Sequence, residues 1–169
     1  MKAEIAGFLA RLGLGPEVST VVFGMLPIFE LRGAIPWATF MYDMNWRVAL
    51  GWSMLGNALP IPLIIWLLDP IQRRLSRWGL AQRFFEWLFA RSRRKGKVIE
   101  NYKAVGLMLF VAIPLPVTGA WTGAVAAYLF GIRFWKALPA IYAGVLIAGV
   151  IVTLACQGVL GFWDLSKGM

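Results

Sequence analysis

Three uncharged runs, Val48 to Leu68, Ala104 to Ile132 and Ala137 to Trp163, occupy nearly half of this 169-residue chain and leave few folds open to it. A helix rises about 1.5 Å per residue, so about 20 residues cross a hydrocarbon core of about 30 Å. The first and third runs therefore read as spanning helices. The middle run carries Pro114, Pro116 and Gly119 near its centre, where proline removes amide donors and both residue types weaken a continuous helix. It reads as two half-helices of roughly ten residues, each reaching about the bilayer midplane before the chain turns back.

Composition agrees. Sixty per cent of residues are hydrophobic, nine are tryptophan, and the mean hydropathy is +0.70, far from an ordinary soluble domain. The chain has no histidine, which removes imidazole general bases and His metal ligands, and it shows no paired carboxylates, so no catalytic constellation emerges and an enzyme is not expected. Its single cysteine, Cys156, sits in an apolar run and reads as a packing residue. No cofactor is implied.

The region from Val18 to Tyr42 has the anatomy of the middle run, with Pro27, Gly33 and Pro36 as breakers. Shifting the chain by about 86 residues lays Gly33-Ala34 on Gly119-Ala120, Ala38 on Ala124, Tyr42 on Tyr128 and Arg47 on Arg133, with Pro27 meeting Pro114 after a one-residue slip. Each repeat reads as a broken hairpin, an arginine-containing turn and a spanning helix. Residues 18–69 form the first repeat and 104–163 the second, within a single membrane domain covering 1–169.

Between the repeats, residues 70–103 hold ten of the seventeen Lys and Arg residues. Basic loops near spanning segments stay in the cytoplasm, which predicts a multi-pass protein of the cell inner membrane with this linker inside. Ile71, Leu75, Trp78, Phe85, Leu88 and Phe89 recur at helical spacing opposite arginines, the pattern of an amphipathic helix lying on the inner leaflet. Attraction to anionic lipid explains the basic run Arg91 to Lys97 better than nucleic acid does, despite a pI near 10.3. A short N-terminal stripe, Ile5, Phe8, Leu9 and Leu12, interrupted by Glu4 and Arg11, reads as a second interfacial helix, with a retained signal-like anchor as the alternative.

If Ala104 to Ile132 returned to its own side, Arg133 and Lys136 would stay with the basic linker, as the charge rule prefers. The hairpins then enter from opposite faces. The expected fold is an all-α integral membrane protein, an inverted repeat of two re-entrant helical hairpins and two spanning helices, with amphipathic interfacial helices added.

Glu30 and Arg32 put a carboxylate and a guanidinium inside this apolar setting. An unneeded charge at membrane depth costs roughly 2.5 to 3.5 kcal/mol on insertion scales, so such groups usually mark a substrate path. A half-helix starting near Gly33 or Gly119 would aim free amides and its positive end at an anion, and Arg32 would add a fork of donors for phosphate or carboxylate. Glu30 is then the coupling acid, for a proton or sodium ion. The structural alternative is a pair that closes the hairpin. Thr118 and Thr122 offer hydroxyls from the second hairpin, unless they bond back to nearby carbonyls. Asn57, followed by Pro60 and Pro62, either lines the cavity or satisfies carbonyls freed by the prolines. Arg47 and Arg133 are secondary candidates.

The string Glu30-Leu31-Arg32-Gly33-Ala34-Ile35-Pro36 after Leu26-Pro27, then Gly56-Asn57 with Pro60 and Pro62, then Pro114-Leu115-Pro116 with Thr118-Gly119-Ala120-Trp121, resembles the small multidrug export protein family, a distant branch of the DedA superfamily. The resemblance runs from about Val18 to Gly161. It implies two opposed re-entrant loops and, from some DedA members, movement of lipid phosphates. The leading expectation is a transporter of an anionic or lipid-phosphate substrate working by alternating access. The alternatives are proton-coupled efflux of cationic drugs through Glu30 and aromatic residues such as Trp37 and Trp121, or a membrane scaffold without transport. Membrane lipids and a second copy are the expected partners, with Gly144 and Ala148-Gly149 as a close-packing face for a homodimer or for a neighbour in the same subunit.

Overall fold

The prolines set the punctuation of the chain. The computed structural model describes residues 13–75, 103–114 and 118–167, and every regular element among them is an α-helix. Helix α1 (Pro16–Met25) starts on a proline, which needs no amide donor there, and has Glu17 in its first turn where the positive helix end favours a carboxylate. It stops at Leu26, just before Pro27, because the residue preceding a proline is pushed out of helical geometry. Helix α2 (Glu30–Tyr42) follows after four residues and ends on Asp43 in the left-handed region, with φ 49°. Asn45 then caps helix α3 (Trp46–Ala58), its Oδ1 accepting from the Arg47 amide at 3.0 Å.

Pro60 opens helix α4 (Pro60–Leu75), which continues past Asp69 into the stretch expected to be linker. In the second half, helix α5 (Ala104–Ala112) ends before Pro114, helix α6 (Ala120–Leu129) begins directly after Gly119, and helix α7 (Phe134–Lys167) is the longest element. Each half thus runs short helix, break, short helix and turn, followed by α3 and α4 in the first and by the single α7 in the second. The N-terminal stripe, the linker from 76 to 102 and Pro116 lie outside the described residues.

Two apolar stretches are long enough to span: Trp46–Leu68, carried by α3 and the first part of α4, and Phe134–Val159 within α7. Only 28% and 44% of their most apolar windows are buried inside the protein. A core helix of a soluble domain would be mostly covered. Here Trp66 is 71% exposed, Trp135 82% and Leu154 66%, so large apolar side chains are left for a nonpolar surrounding.

The helices group into two compact units, residues up to Leu59 with those from Val145 onward, and Pro60 to Gly144. In the first, α1, α2 and α3 pack on one another. A side chain at Gly24 would sit 2.9 Å from the Ser53 carbonyl, and one at Gly56 would run into the Val21 backbone. Gly149 of α7 lies against Leu50, Met54 and Leu31. In the second, α6 packs on α4 and α5. A Cβ at Gly144 would lie 2.7 Å from the Met108 carbonyl of α5, and one at Gly123 would strike Val111. Lipid tails give apolar helices no reason to prefer each other, so close backbone approach at small residues supplies the contact. Gly144 and Gly149, offered above as a dimer face or an internal one, are used within the chain.

Candidate functional site

The first break is built around Glu30. Its amide donates to the Leu26 carbonyl at 2.9 Å and the Gly33 amide to the Phe29 carbonyl at 2.8 Å, so the chain re-enters helix as soon as Pro27 is passed. Glu30 itself has φ 48°. A non-glycine residue there costs about 1–2 kcal/mol. Strain of this kind persists only where surrounding structure holds it, most often at a functional position. The carboxylate-bearing residue is only 7% exposed. Arg32, two residues on and half-buried, interacts electrostatically with Glu30.

Two expectations about this hairpin change. Gly33 and Pro36 were read as breakers, and a half-helix was to start near Gly33; both residues instead lie inside α2, which starts three residues earlier at Glu30. The role of Gly33 is steric. A Cβ there would stand 2.8 Å from the Phe29 Cβ, so its absence lets Phe29 fold back over the first turn. Pro36 has no amide to continue the ladder, yet packing of Leu31, Ala34, Ile35 and Ala38, each at most 2% exposed, holds the helix through it.

An aromatic cluster clamps the two arms. Trp37 stacks on Phe23 with centroids 4.2 Å apart and planes at 12°, Phe23 leans on Phe29 at 5.1 Å, and the Trp37 indole N–H donates to Ser19 Oγ at 3.2 Å. One face and the polar edge of Trp37 are therefore already engaged in closing the hairpin.

Asn57 is fully buried on α3, and neither its Nδ2 nor its Oδ1 has a hydrogen-bond partner among the described residues. Ser53, one turn earlier and also fully buried, has an unpartnered hydroxyl, as do Thr39, Tyr42 and Thr153. Sequence reasoning found Asn57 but passed over the others. Single hydroxyls in apolar helices look like residues bonded to their own helix, as Thr20 is to the Pro16 carbonyl at 2.7 Å.

The second hairpin uses its polar atoms differently. Thr118 donates to the Ile113 carbonyl at 3.0 Å, closing the break. The Thr122 hydroxyl accepts from the Gly119 amide at 2.8 Å and donates to the Gly119 carbonyl at 3.2 Å, pinning the start of α6. Both hydroxyls thus bond to nearby backbone. Gly119 is buried at the N-cap, as expected for a half-helix beginning there. Arg47 is exposed at the start of α3 with its guanidinium 5.0 Å from the Trp46 ring centre, and Arg133 is exposed before α7. The structure brings Glu30, Arg32, Gly33 and Asn57 into one unit and leaves Thr118, Gly119, Thr122 and Arg133 in the other.

Among known protein families, the one described as "Putative small multi-drug export protein" matches residues 30–151, from Glu30 to the middle of α7. No curated protein and no solved structure matches the chain. The match covers well over half of the sequence and joins the apolar surface of the two long helical stretches: the chain is a membrane protein belonging to the small multi-drug export family.

Proposed function

We propose that the protein is a secondary transporter in which Glu30 and Arg32 form the substrate or coupling site, and that its substrate is anionic, a phosphate or carboxylate carried on a lipid or small molecule. The observation that carries this reading is the buried Glu30 held at positive φ beside Arg32, at the point where the first hairpin re-enters helix. A guanidinium beside the first turn of a helix offers charge and a fork of donors to an anion, while the carboxylate gives a site whose charge a proton or sodium ion can change.

The lengths of the paired helices support a re-entrant arrangement. Helices of 9 to 13 residues reach about 14–20 Å, short of a hydrocarbon core of about 30 Å. On this reading the hairpins enter from opposite faces as an inverted, DedA-like repeat, the basic linker stays in the cytoplasm of a cell with the protein in its inner membrane, and substrate moves by alternating access. Two copies sharing exposed apolar helix faces complete the unit.

The family's description favours a second reading, proton-coupled export of cationic drugs with Glu30 as the exchanging acid. The engagement of Trp37 within the hairpin favours the anionic substrate, since one ring face and its N–H are already taken. Reconstituted vesicles separate the two. Arg32→Ala should abolish movement of labelled phosphatidic acid and leave cationic dye untouched, whereas drug export should follow Glu30→Gln and tolerate the loss of Arg32. A wild-type protein that moves neither probe, with or without a pH gradient, returns the scaffold.

A further inference from the structure

Among the described residues of the first unit, the buried side-chain polar atoms without protein partners belong to Tyr42, Thr39, Ser53, Asn57 and Thr153. Four of them fall in order along the α2–α3 hairpin. The two helices pack on each other and are joined by only 43–45, so they run antiparallel and distance from that turn orders their residues. Counted from Met44, Tyr42 is two residues away, Thr39 five, Ser53 nine and Asn57 thirteen, with Glu30 at fourteen. At 1.5 Å per residue the successive steps are about 4.5, 6, 6 and 1.5 Å. A second observation puts Asn57 at the level of Glu30. The backbone nitrogen of Asn57 lies by Gly24, near the end of α1, and two residues further on the Leu26 carbonyl accepts from the Glu30 backbone N–H.

The chemistry of the set selects its ligand. A bare cation would serve the Asn57 and Ser53 oxygens and leave Asn57 Nδ2 unmet. An anion would serve Nδ2 and leave Oδ1. Only a group that both donates and accepts satisfies the amide at both ends and the hydroxyls between, and water is the smallest such group. Along each helix Tyr42 and Thr39 are three residues apart and Ser53 and Asn57 four, so each pair shares a face at a rise of about 4.5–6 Å, close to the roughly 5.6 Å that two hydrogen bonds through one water span. Buried polar groups of this kind ordinarily bind ordered water.

We propose that Tyr42, Thr39, Ser53 and Asn57 line a file of water running from the exposed Asp43–Asn45 turn to the Glu30 carboxylate, and that this file is the route by which Glu30 gains and loses its proton. The proton enters as hydronium at the turn, passes along the file, and leaves water beside a protonated Glu30; discharge reverses the steps. Charged groups on the packed elements are Arg32 on the same helix, Glu17 at the start of α1, and Asp43 and Arg47 at the turn. Thr153 and Cys156 come from α7. Arg32 is the charged residue nearest Glu30 in the sequence, and Asn57, at the level of the carboxylate, sets how fast the proton arrives. The proposal deepens the reading of Glu30 as coupling acid and rests on it for the use made of the proton. The route itself is tested without transport.

Attenuated-total-reflection infrared spectroscopy on protein in phosphatidylcholine nanodiscs, whose head groups carry no hydroxyl, follows the protonated carboxyl band that Glu30→Gln removes as pH is lowered. On exchange into D2O the wild-type band should shift within the mixing time. Asn57→Leu should slow that shift at least tenfold and Ser53→Ala several-fold, while Asn57→Ser, small and hydrated, keeps it fast. Thermal unfolding checks that each variant is folded, and Ser53→Ala carries the test if Asn57→Leu is not. Equal exchange in wild type and in the folded apolar variants overturns the route, as does a Glu30 band that never appears or never exchanges. Slowed exchange in a protein that transports no probe sinks the transport reading and leaves the route standing.

Discussion

The two hairpins have the same parts and spend them differently. Each is a pair of short helices broken at a proline and packed through glycine, at Gly24 and Gly56 in the first unit and Gly123 and Gly144 in the second. In the second, both threonine hydroxyls near the break bond to backbone and no charged residue occurs between Ala104 and Ile132. In the first, the break carries a buried carboxylate at positive φ, and five polar side chains of its unit, on α2, α3 and α7, have no protein partner among the described residues. A polar group buried without a partner costs about 1–3 kcal/mol. A unit that keeps several of them is shaped by something other than its own stability, whereas the second hairpin has the economy of a scaffold.

The largest effect should be on flux. Glu30→Gln and Arg32→Ala are expected to lower transport by at least about tenfold, equivalent to about 1.4 kcal/mol in a barrier, while Thr118→Val and Thr122→Val stay near wild type. Vesicle uptake normalised to inserted protein measures it. If the threonine variants lose as much flux as the charged ones, the division of labour between the hairpins is wrong.

Stability should show the opposite ranking among the hydroxyls. Thr122→Val removes the acceptor that holds the Gly119 amide, a loss of the kind that costs about 0.5–2 kcal/mol at a helix start. Thr39→Val removes a hydroxyl that has no protein partner among the described residues and on the proposed route meets only water, so it should be close to neutral. Thermal midpoints moving in the same direction would break the comparison. The glycines serve as its control, because both units make close contacts at glycine. Gly56→Ala and Gly144→Ala should each cost about 1–3 kcal/mol by forcing backbone apart, while Gly51→Ala, with open space around it, should stabilise its helix by about 0.5–1 kcal/mol.

The breaks at Pro27 and Pro114 and both spanning stretches were legible in the sequence, because a missing amide and an apolar length act locally and need no partner. The charged pair was legible for a similar reason, since its cost in an apolar run is independent of the fold. The start of α2 was not. Gly33 and Pro36 weaken a helix by propensity, but Phe29 packing on Gly33 and the buried row from Leu31 to Ala38 outweigh that tendency, and neither contact exists before the chain folds. The left-handed φ of Glu30 was equally hidden, since glutamate has no special preference for it and the turn after Pro27 imposes it. Ser53, Thr39 and Thr153 were invisible because a lone hydroxyl reads alike whether it bonds to its own helix, as Thr20 does, or faces a neighbour that offers nothing.

The smallest predicted effect lies in the turns that end the two hairpins. Asp43 and Gly131 each hold the left-handed region, at φ 49° and 61°, one in the turn after α2 and the other in the turn after α6. Glycine adopts that conformation freely, whereas a side chain costs about 1–2 kcal/mol there, less for aspartate, which tolerates it better than most. Asp43→Gly should therefore leave stability within about 0.5 kcal/mol of wild type and Gly131→Ala should lower it by about 1 kcal/mol, both read from thermal unfolding in the same lipid. The proposed route adds a further condition. Asp43 is exposed at the mouth of the water file, so its loss should slow proton arrival at Glu30 at low buffer concentration and have no effect when buffer is abundant. A turn that served only to reverse the chain would leave that rate unchanged at every buffer concentration, and the resemblance between the two turns would then extend to function as well as shape.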